Sequence, residues 1–600
     1  MRLCNLRIKN YRSIVDSGDI RIEPFQIFVG ENNAGKSNIL KAIDVFLAPG
    51  AGGVQESNFF DKSQPIVITC MFTGLTPEER RALRPYLLGD KLILEKHLVA
   101  QTEEKTGKVK VVAEYHGYVA KPKDWWLSVE GVIAEKGDKP NWRQVAEENG
   151  ILEYVSRDGK VTKASYEAGL RRLLQERDDV EYEDPTPGNS QALGLQPVLL
   201  SHLPGFYLLP AITDYSNEID RRSSSTVFRR LMGDLADRII KTDPRYSEIE
   251  LSLQRIKNLL NPPESGEDRP EDLKRLDVLS KIEETLQKTI VRLMPSVNSV
   301  CLKVMMEGTR DLFLQGVSLK VDDGVLTDVL EKGHGLQRSV VFGLLQTLIM
   351  NQRGQLLPLG EGETESFRPI ILAIEEPELY IHPQMQRLVF GVLREFSESD
   401  QVIYTTHSPA FVDVADYHCI GVTRKDTVEA GTHVYQCDPG VLGSPEEKKG
   451  FQFLNSFGLE QNQLFFAKKV ILVEGEQDSI AIMSAGRKLG LFKEFPEEIG
   501  YTIIIAGNKQ EIPKFQKLLN AFQLPYIVWL ELDGKSEEDD ENIRIINLLN
   551  GNRCVKLPQR LEDLVDHSGH FGSTYHAKKY FENPDNITNE LEKRVKELFQ

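Results

Sequence analysis

The sequence predicts an α/β protein: a larger α/β part interrupted by a helical insertion, then a smaller α/β part toward the C-terminal end. Three observations predict it. A short apolar strand, Phe25–Val29, runs into a glycine-bounded loop and an apolar-periodic helix. Short apolar runs recur at Ile370–Ile374, Val402–Tyr404, Val470–Val473 and Ile527–Leu530, as buried parallel strands do. Between the first and second of these lie two stripes at helical spacing. One is Leu251, Leu253, Ile256, Leu259 and Leu260; the other is Leu276, Leu279, Ile282, Leu286 and Ile290.

Composition narrows the classes. A chain of 600 residues exceeds the ~250–300 residues at which single cores stop growing, so several domains are expected. No apolar run approaches the roughly 18–20 residues that span a bilayer, and Met1–Ile8 lacks a signal-peptide core. A cytoplasmic protein with no membrane partner is the expectation. The six cysteines, Cys4, Cys70, Cys301, Cys419, Cys437 and Cys554, include no Cys-x-x-Cys clip, so neither a zinc ribbon nor a disulfide framework is indicated. A formal net charge of −17 argues against coating nucleic acid by bulk charge but leaves room for a local basic groove.

The elements follow in order. Leu3, Leu6 and Ile8 open a first strand, Ile20 and Ile22 a second, and Phe25–Val29 a third. The helix from Lys36 to Leu47 is stopped by Pro49-Gly50. Ile66–Thr69, Leu92–Leu94 and Val109–Tyr118 read as hairpin strands. Residues 135–200 are polar and carry no clear period. The stripes within 225–295 predict two helices broken near Asn261–Gly266. They are equally a dimerisation arm or a helical subdomain with its own core. Residues 296–435 return to α/β, 436–467 form a connector, and 468–600 form the second α/β part. The larger part is thus 1–224 and 296–435.

Gly30-Glu31-Asn32-Asn33-Ala34-Gly35-Lys36-Ser37 fits the phosphate-binding loop in full, with a strand before it and a helix after it. Its backbone N–H groups and helix N-terminus favour phosphate, Lys36 reaches the β- and γ-phosphates, and Ser37 ligates Mg²⁺. Ile370–Ile374 then delivers Glu375 and Glu376 at a strand end, the first to hold Mg²⁺ through water and the second to polarise the attacking water. A later strand ends in His407, which can touch the γ-phosphate. Gly333, Gly335 and Gln337 open the apolar helix Val340–Ile349 as a second anion-binding terminus.

In the second part, Glu474 ends a strand, Gly475 allows a tight turn and Asp478 opens a helix. Strand period two puts Glu531 and Asp533 on one face at the carboxyl edge. Oxygen-only ligands at that density suit Mg²⁺ or Mn²⁺. Asp539, Asp540 and Glu541 read as a solvated loop.

Residues 1–60 and 300–425 resemble the ABC/SMC-type ATPases. The resemblance implies an ABC-type ATPase domain that binds ATP. It implies roles for the P-loop (Gly30–Ser37), a signature loop (Gly333–Arg338), Glu375, Glu376, a D-loop-like Leu379–Pro383 and a switch His407. It also implies that two heads meet, so a homo-oligomer is expected. Asn10-Tyr11-Arg12-Ser13 resembles the opening turn in which an arginine approaches the nucleotide, which makes Arg12 a further candidate. Glu375 stands where Asp is commoner.

Val473-Glu474-Gly475-x-x-Asp478 with the later acidic pair resembles a Toprim domain, with Glu531 where that family usually has Asp. An ABC-type head followed by a Toprim domain is similar to the OLD-family nucleases, including antiphage systems such as Gabija. The resemblance implies metal-dependent cleavage of DNA gated by ATP, and a possible second defence-system subunit. It further implies a downstream acidic ligand at Glu562 and a cation at Lys578, with Lys579 its neighbour. The basic pair reads equally as a plain basic helix face. One rival is a non-cleaving DNA-repair or structural ATPase with a degenerate Toprim site, which Glu531 favours. A transport ATPase is the other rival, and the Toprim part argues against it.

Overall fold

The structure is a computed structural model. It describes residues 1–102, 109–155, 160–177, 180–189, 202–211, 245–261, 274–293, 319–352, 369–425, 427–455 and 459–600. Cys301 and residues 262–266 of the expected helix break lie outside these. The chain divides into two units: Met1–Ala211 with Arg368–Leu379 and Pro383–Gln600, and Ile212–Phe367 with Tyr380–His382.

The first unit opens with an antiparallel sheet. Arg2–Tyr11 pairs with Ile14–Asp16 on one side and Ile66–Thr73 on the other, and Lys91–Thr102, Val109–Val119 and Thr186–Asn189 extend it. Ile66–Thr73 alternates buried with half-buried side chains, the signature of a sheet covered on one face. That face shares a core with the helix Lys36–Leu47. Lys96 in this sheet is wholly buried, and its Nζ donates to the carbonyls of Val45 and Ala48, both at 2.6 Å. A cation on the orphan carbonyls of a helix C-terminus complements the dipole. It fixes the far end of the helix that follows the P-loop.

A second sheet runs Gly205–Leu209, Ile370–Glu375, Gln401–Thr405, Phe25–Val29, Ile420–Arg424 and His433–Gln436. Its first five strands are parallel, and His433–Gln436 is an antiparallel edge. Every residue of Phe25–Val29, Ile370–Glu375 and Gln401–Thr405 is buried, which is why they read as unbroken apolar runs. Buried Gln401 joins the two sheets. Its side chain accepts from the Leu3 N–H and donates to the Leu3 carbonyl, both at 2.7 Å.

Between these strands the chain builds a small helical block around Leu127, Val132, Val145, Tyr166 and Leu170. Trp142–Glu148 and Leu152–Val155 are too short for a helical period to announce them in 135–200. The connector 436–467 is also ordered among its described residues. It holds the helix Pro445–Asn455, and Asn462 in it is wholly buried.

The C-terminal part is a parallel sheet in the order Tyr501–Ile505, Lys469–Val473, Tyr526–Glu531, Arg553–Leu557. Helices Glu476–Lys488, Thr574–Phe581 and Asn589–Leu598 pack on one core with Trp529, Val555 and Leu557. Asp539–Glu541 is not a loop: Asp539 caps the helix Asp540–Asn547, accepting from the Glu541 N–H at 3.2 Å.

In the second unit the helices Arg245–Leu260 and Asp277–Leu293 meet at a closed corner. The Leu276 N–H donates to the Leu259 carbonyl at 2.8 Å, and Arg275 pairs with Glu283 at 2.6 Å. Leu251, Ile256, Ile282 and Leu286 are nonetheless exposed, so these stripes do not close on a core among the described residues. The helix expected at Val340–Ile349 spans His334–Gln352, and Gly335 lies inside its first turn instead of before it. A Cβ at Gly335 would stand 2.6 Å from the Tyr380 carbonyl, a closeness only glycine permits. Gln337 is buried and donates to the Lys332 carbonyl at 2.9 Å. Gly333 has open space around it.

Candidate functional site: a phosphate-binding loop and a carboxylate cluster

The P-loop leaves the buried strand at Gly30. A Cβ there would collide with the Thr423 carbonyl of the neighbouring strand, so glycine is required by packing as well as by curvature. The loop, with Asn32, Asn33, Gly35, Lys36 and Ser37, lines a cavity of about 640 Å³ closed by Glu376 and His407. Lys36 is buried and its Nζ donates to the carbonyls of Gly30 and Glu31, both at 2.9 Å. Burial pushes its pKa down to about 8, opposed by Glu376 and Glu378.

Glu376 and His407 face the cavity together, His407 Nε2 standing 3.7 Å from Glu376 Oε1. Burial and the Lys36 charge lower the His407 pKa below its usual 6.5, so the ring is neutral near pH 7 and the contact is dipolar. Glu375 is turned elsewhere: it meets Lys41 of the P-loop helix at 3.4 Å and accepts from the Ala211 N–H at 3.2 Å. Arg12 sits at φ +52° and donates to Asn38 at 3.4 Å, while Asn38 donates to Ser13 at 2.8 Å. Ala34 lies on the other side of the loop, in a second cavity of about 510 Å³ lined also by Arg424, Phe465 and Lys468.

Two contributors to the phosphate cavity are missing from the sequence reading, Asn38 and Lys425, and Ser13 enters it only as part of the turn that carries Arg12. Lys425 had a signal, since it follows a buried strand at the carboxyl edge where α/β sheets bind ligands. Gly333, Gly335 and Gln337 belong to the second unit and are described within it.

In the C-terminal part, Glu474 follows the strand Lys469–Val473. Asp478 is buried in the first turn of the next helix, accepting from the Gly475 N–H at 3.0 Å and from Trp529 Nε1 at 3.1 Å. Asp478 and Glu531 interact directly, each shifting the other's pKa. Burial raises the pKa of Glu474, Asp478 and Glu531, most of all Glu531, whose neighbours Asp478, Glu474 and Asp533 add to the rise. The four carboxylates therefore converge.

Asp533 does so for a reason other than strand period. The strand ends at Glu531, and Asp533 sits beyond it at φ +54°, in a turn. Its Oδ2 is bonded by Lys509 Nζ at 2.7 Å, and its Oδ1 stands 3.7 Å from Arg560. Among the described residues no three His, Cys, Asp or Glu side chains stand ready as a metal cage. The donor set still suits a hard divalent cation: oxygen only, crowded, and forced to share protons without one.

Glu562 accepts from the Phe571 N–H and from His570, both at 3.1 Å, and its charge is felt at Asp478. Lys578 is exposed on its helix, and no side-chain bond ties it to the carboxylates. The cation at the cluster is Lys509, on a turn that sequence spacing does not connect to either acidic motif.

Comparison with known proteins agrees with both halves. The AAA ATPase domain family matches residues 1–139 and 211–412, more than half of the chain. This chain belongs to that family. Residues 465–533 match the TOPRIM domain of overcoming-lysogenization-defect-like proteins. The chain thus carries an AAA ATPase domain followed by a TOPRIM domain. The Old nuclease of Escherichia phage P2 is 23% identical over 89% of this chain and 77% of its own length. The OLD nuclease of Thermus scotoductus is 26% identical over 43% of this chain, which spans about half (47%) of that relative. Endonuclease GajA of Bacillus cereus VD045 is 25% identical over 31% of this chain and 30% of its own length. No helix among the described residues is long and apolar enough to cross a membrane.

Three sets of contacts run from the ATPase part through the connector to the TOPRIM domain within the first unit. Asn462 donates to the carbonyls of Pro409 and Val412 and accepts from the Val414 N–H, holding the segment after His407. Three residues on, Phe465 packs edge-on against Phe522, just past the TOPRIM helix Ile512–Ala521. Arg424 reaches the carbonyls of Phe522 and Gln523 at 3.1 and 2.8 Å.

Proposed function

We propose that this protein is an ATP-regulated, divalent-metal-dependent DNA endonuclease of the cytoplasm, acting in phage defence or DNA processing. The observation that carries this reading is the convergence of Glu474, Asp478, Glu531 and Asp533 at one sheet edge. Glu474, Glu531, Asp533 and Glu562 would hold Mg²⁺ or Mn²⁺, which supplies water activation and charge neutralisation at a phosphodiester. Asp478, whose oxygens already serve Gly475 and Trp529, fixes the geometry of the others. At the P-loop, Lys36 and Ser37 bind ATP with Mg²⁺, Glu376 orients water, and His407 contacts the γ-phosphate. Glu375, held by Lys41, supports the strand end from behind.

The grip of Asn462 on the segment after His407 supports regulation: a change at the switch is passed into the connector and on to the TOPRIM domain. The exposed stripes on Arg245–Leu260 and Asp277–Leu293 support a homo-oligomer. In such an assembly the Gly333–Gln337 segment of one copy meets the nucleotide of another. A second defence-system subunit is a further partner in this reading.

The rival is a non-cleaving ATPase, favoured by one observation: Lys509 stands on Asp533. A plasmid-nicking assay with Mg²⁺ or Mn²⁺, with and without ATP, decides between them. Nicking that is lost in Asp533→Ala supports the nuclease; wild type inert with every metal supports the rival.

A further inference from the structure

Lys509 is 7% exposed, yet it lies amid carboxylates whose usual counter-charge would be a metal ion. It reaches both acidic motifs. Its charge is felt at Glu474, and its Nζ donates to the Glu531 carbonyl at 2.6 Å and to Asp533 Oδ2 at 2.7 Å. With Arg560 near Oδ1, both oxygens of Asp533 face cations of the protein itself. A divalent ion ligated by Asp533 needs one of those oxygens. An ammonium at hydrogen-bond distance from the same carboxylate would repel it strongly in a part-buried site.

We infer that Lys509 is the resident counter-ion of the TOPRIM carboxylates, seated on Asp533 until a divalent cation displaces it, so that lysine and metal compete for one carboxylate edge. The inference rests on the metal reading of these carboxylates. It gives the turn Gly507–Lys509 a task. The lysine holds the metal-free cluster together and keeps Asp533 in its left-handed turn, and on release it frees a cation beside the scissile phosphate.

The test is Mn²⁺ binding to the full chain, followed by the electron paramagnetic resonance signal of free Mn²⁺, with thermal melting alongside. Lys509→Met removes the competitor, so Mn²⁺ should bind about tenfold tighter or more. The metal-free variant should melt lower than wild type, and Mn²⁺ should raise its melting temperature by more than it raises that of wild type. Lys509→Arg keeps the charge and should bind Mn²⁺ nearly as wild type does. If Lys509→Met does not fold, Lys509→Gln, which still bonds the Glu531 carbonyl, carries the same measurement. Equal or weaker Mn²⁺ affinity in both neutral variants, beside a wild type that binds, overturns the inference and leaves the metal reading standing. A wild type that binds no Mn²⁺ overturns both.

Discussion

The carboxylate of Glu378 accepts the backbone N–H of His407 at 2.6 Å, and its other oxygen accepts from the Thr406 hydroxyl at 2.9 Å. Glu378 is buried enough that its pKa is raised, so both bonds are made in a site shielded from water. The switch histidine is therefore aimed by a residue that does not itself line the cavity. Glu378→Ala strands two donors, each worth about 1–3 kcal/mol when buried. ATP turnover should fall on the order of tenfold or more while ATP binding stays near wild type. Measuring kcat and nucleotide affinity separately checks it; equal losses in both would assign Glu378 to binding.

Lys36 places its charge on two carbonyls of the loop, and burial brings its pKa to about 8. Phosphates must favour the charged form, raising that pKa in the complex. Just above pH 8, ATP binding should take up protons, and affinity should fall as pH rises further. Calorimetry in buffers of different ionisation enthalpy reads the uptake directly. Lys36→Ala should bind ATP without it and lose turnover.

Glu531 gives a pH slope in stability. Its folded-state pKa is raised far above the ordinary 4.5, so the unfolded chain releases its proton first as pH rises. Metal-free stability from this group is complete below pH 4.5 and is lost progressively upward through neutrality. Melting temperature should decline across that window without metal, less steeply in Glu531→Gln. Saturating Mg²⁺ should flatten the wild-type decline, because it holds the ionised form. A pH-independent wild type would mean that the buried carboxyls relax by another route.

Glu474→Ala and Asp533→Ala should each abolish cleavage while ATP hydrolysis survives, since Lys36 and Glu376 lie in a separate cavity. Asn462→Ala should do neither. Losing its three bonds to Pro409, Val412 and Val414 should leave both activities measurable but make nicking insensitive to ATP. Nicking rates with and without nucleotide, compared between wild type and Asn462→Ala, check the coupling.

What local chemistry requires was readable in the chain itself. The P-loop helix spans Lys36–Leu47 as expected because a glycine-bounded N-terminus and Pro49 bracket it. Parallel strands announced themselves because burial on both faces demands unbroken apolar runs, and carboxylates at their ends marked both sites. Tertiary structure decided which charges meet. It paired Lys509 with Asp533 across sequence distance, turned Glu375 toward Lys41, and left Lys578 exposed. It also put Asp533 in place through a left-handed turn where strand period would have sufficed on paper. The physical reason is the same throughout. Backbone periodicity and capping act within a few residues and leave a mark on the sequence, whereas a buried charge finds its partner through the fold, and spacing along the chain carries no record of that meeting.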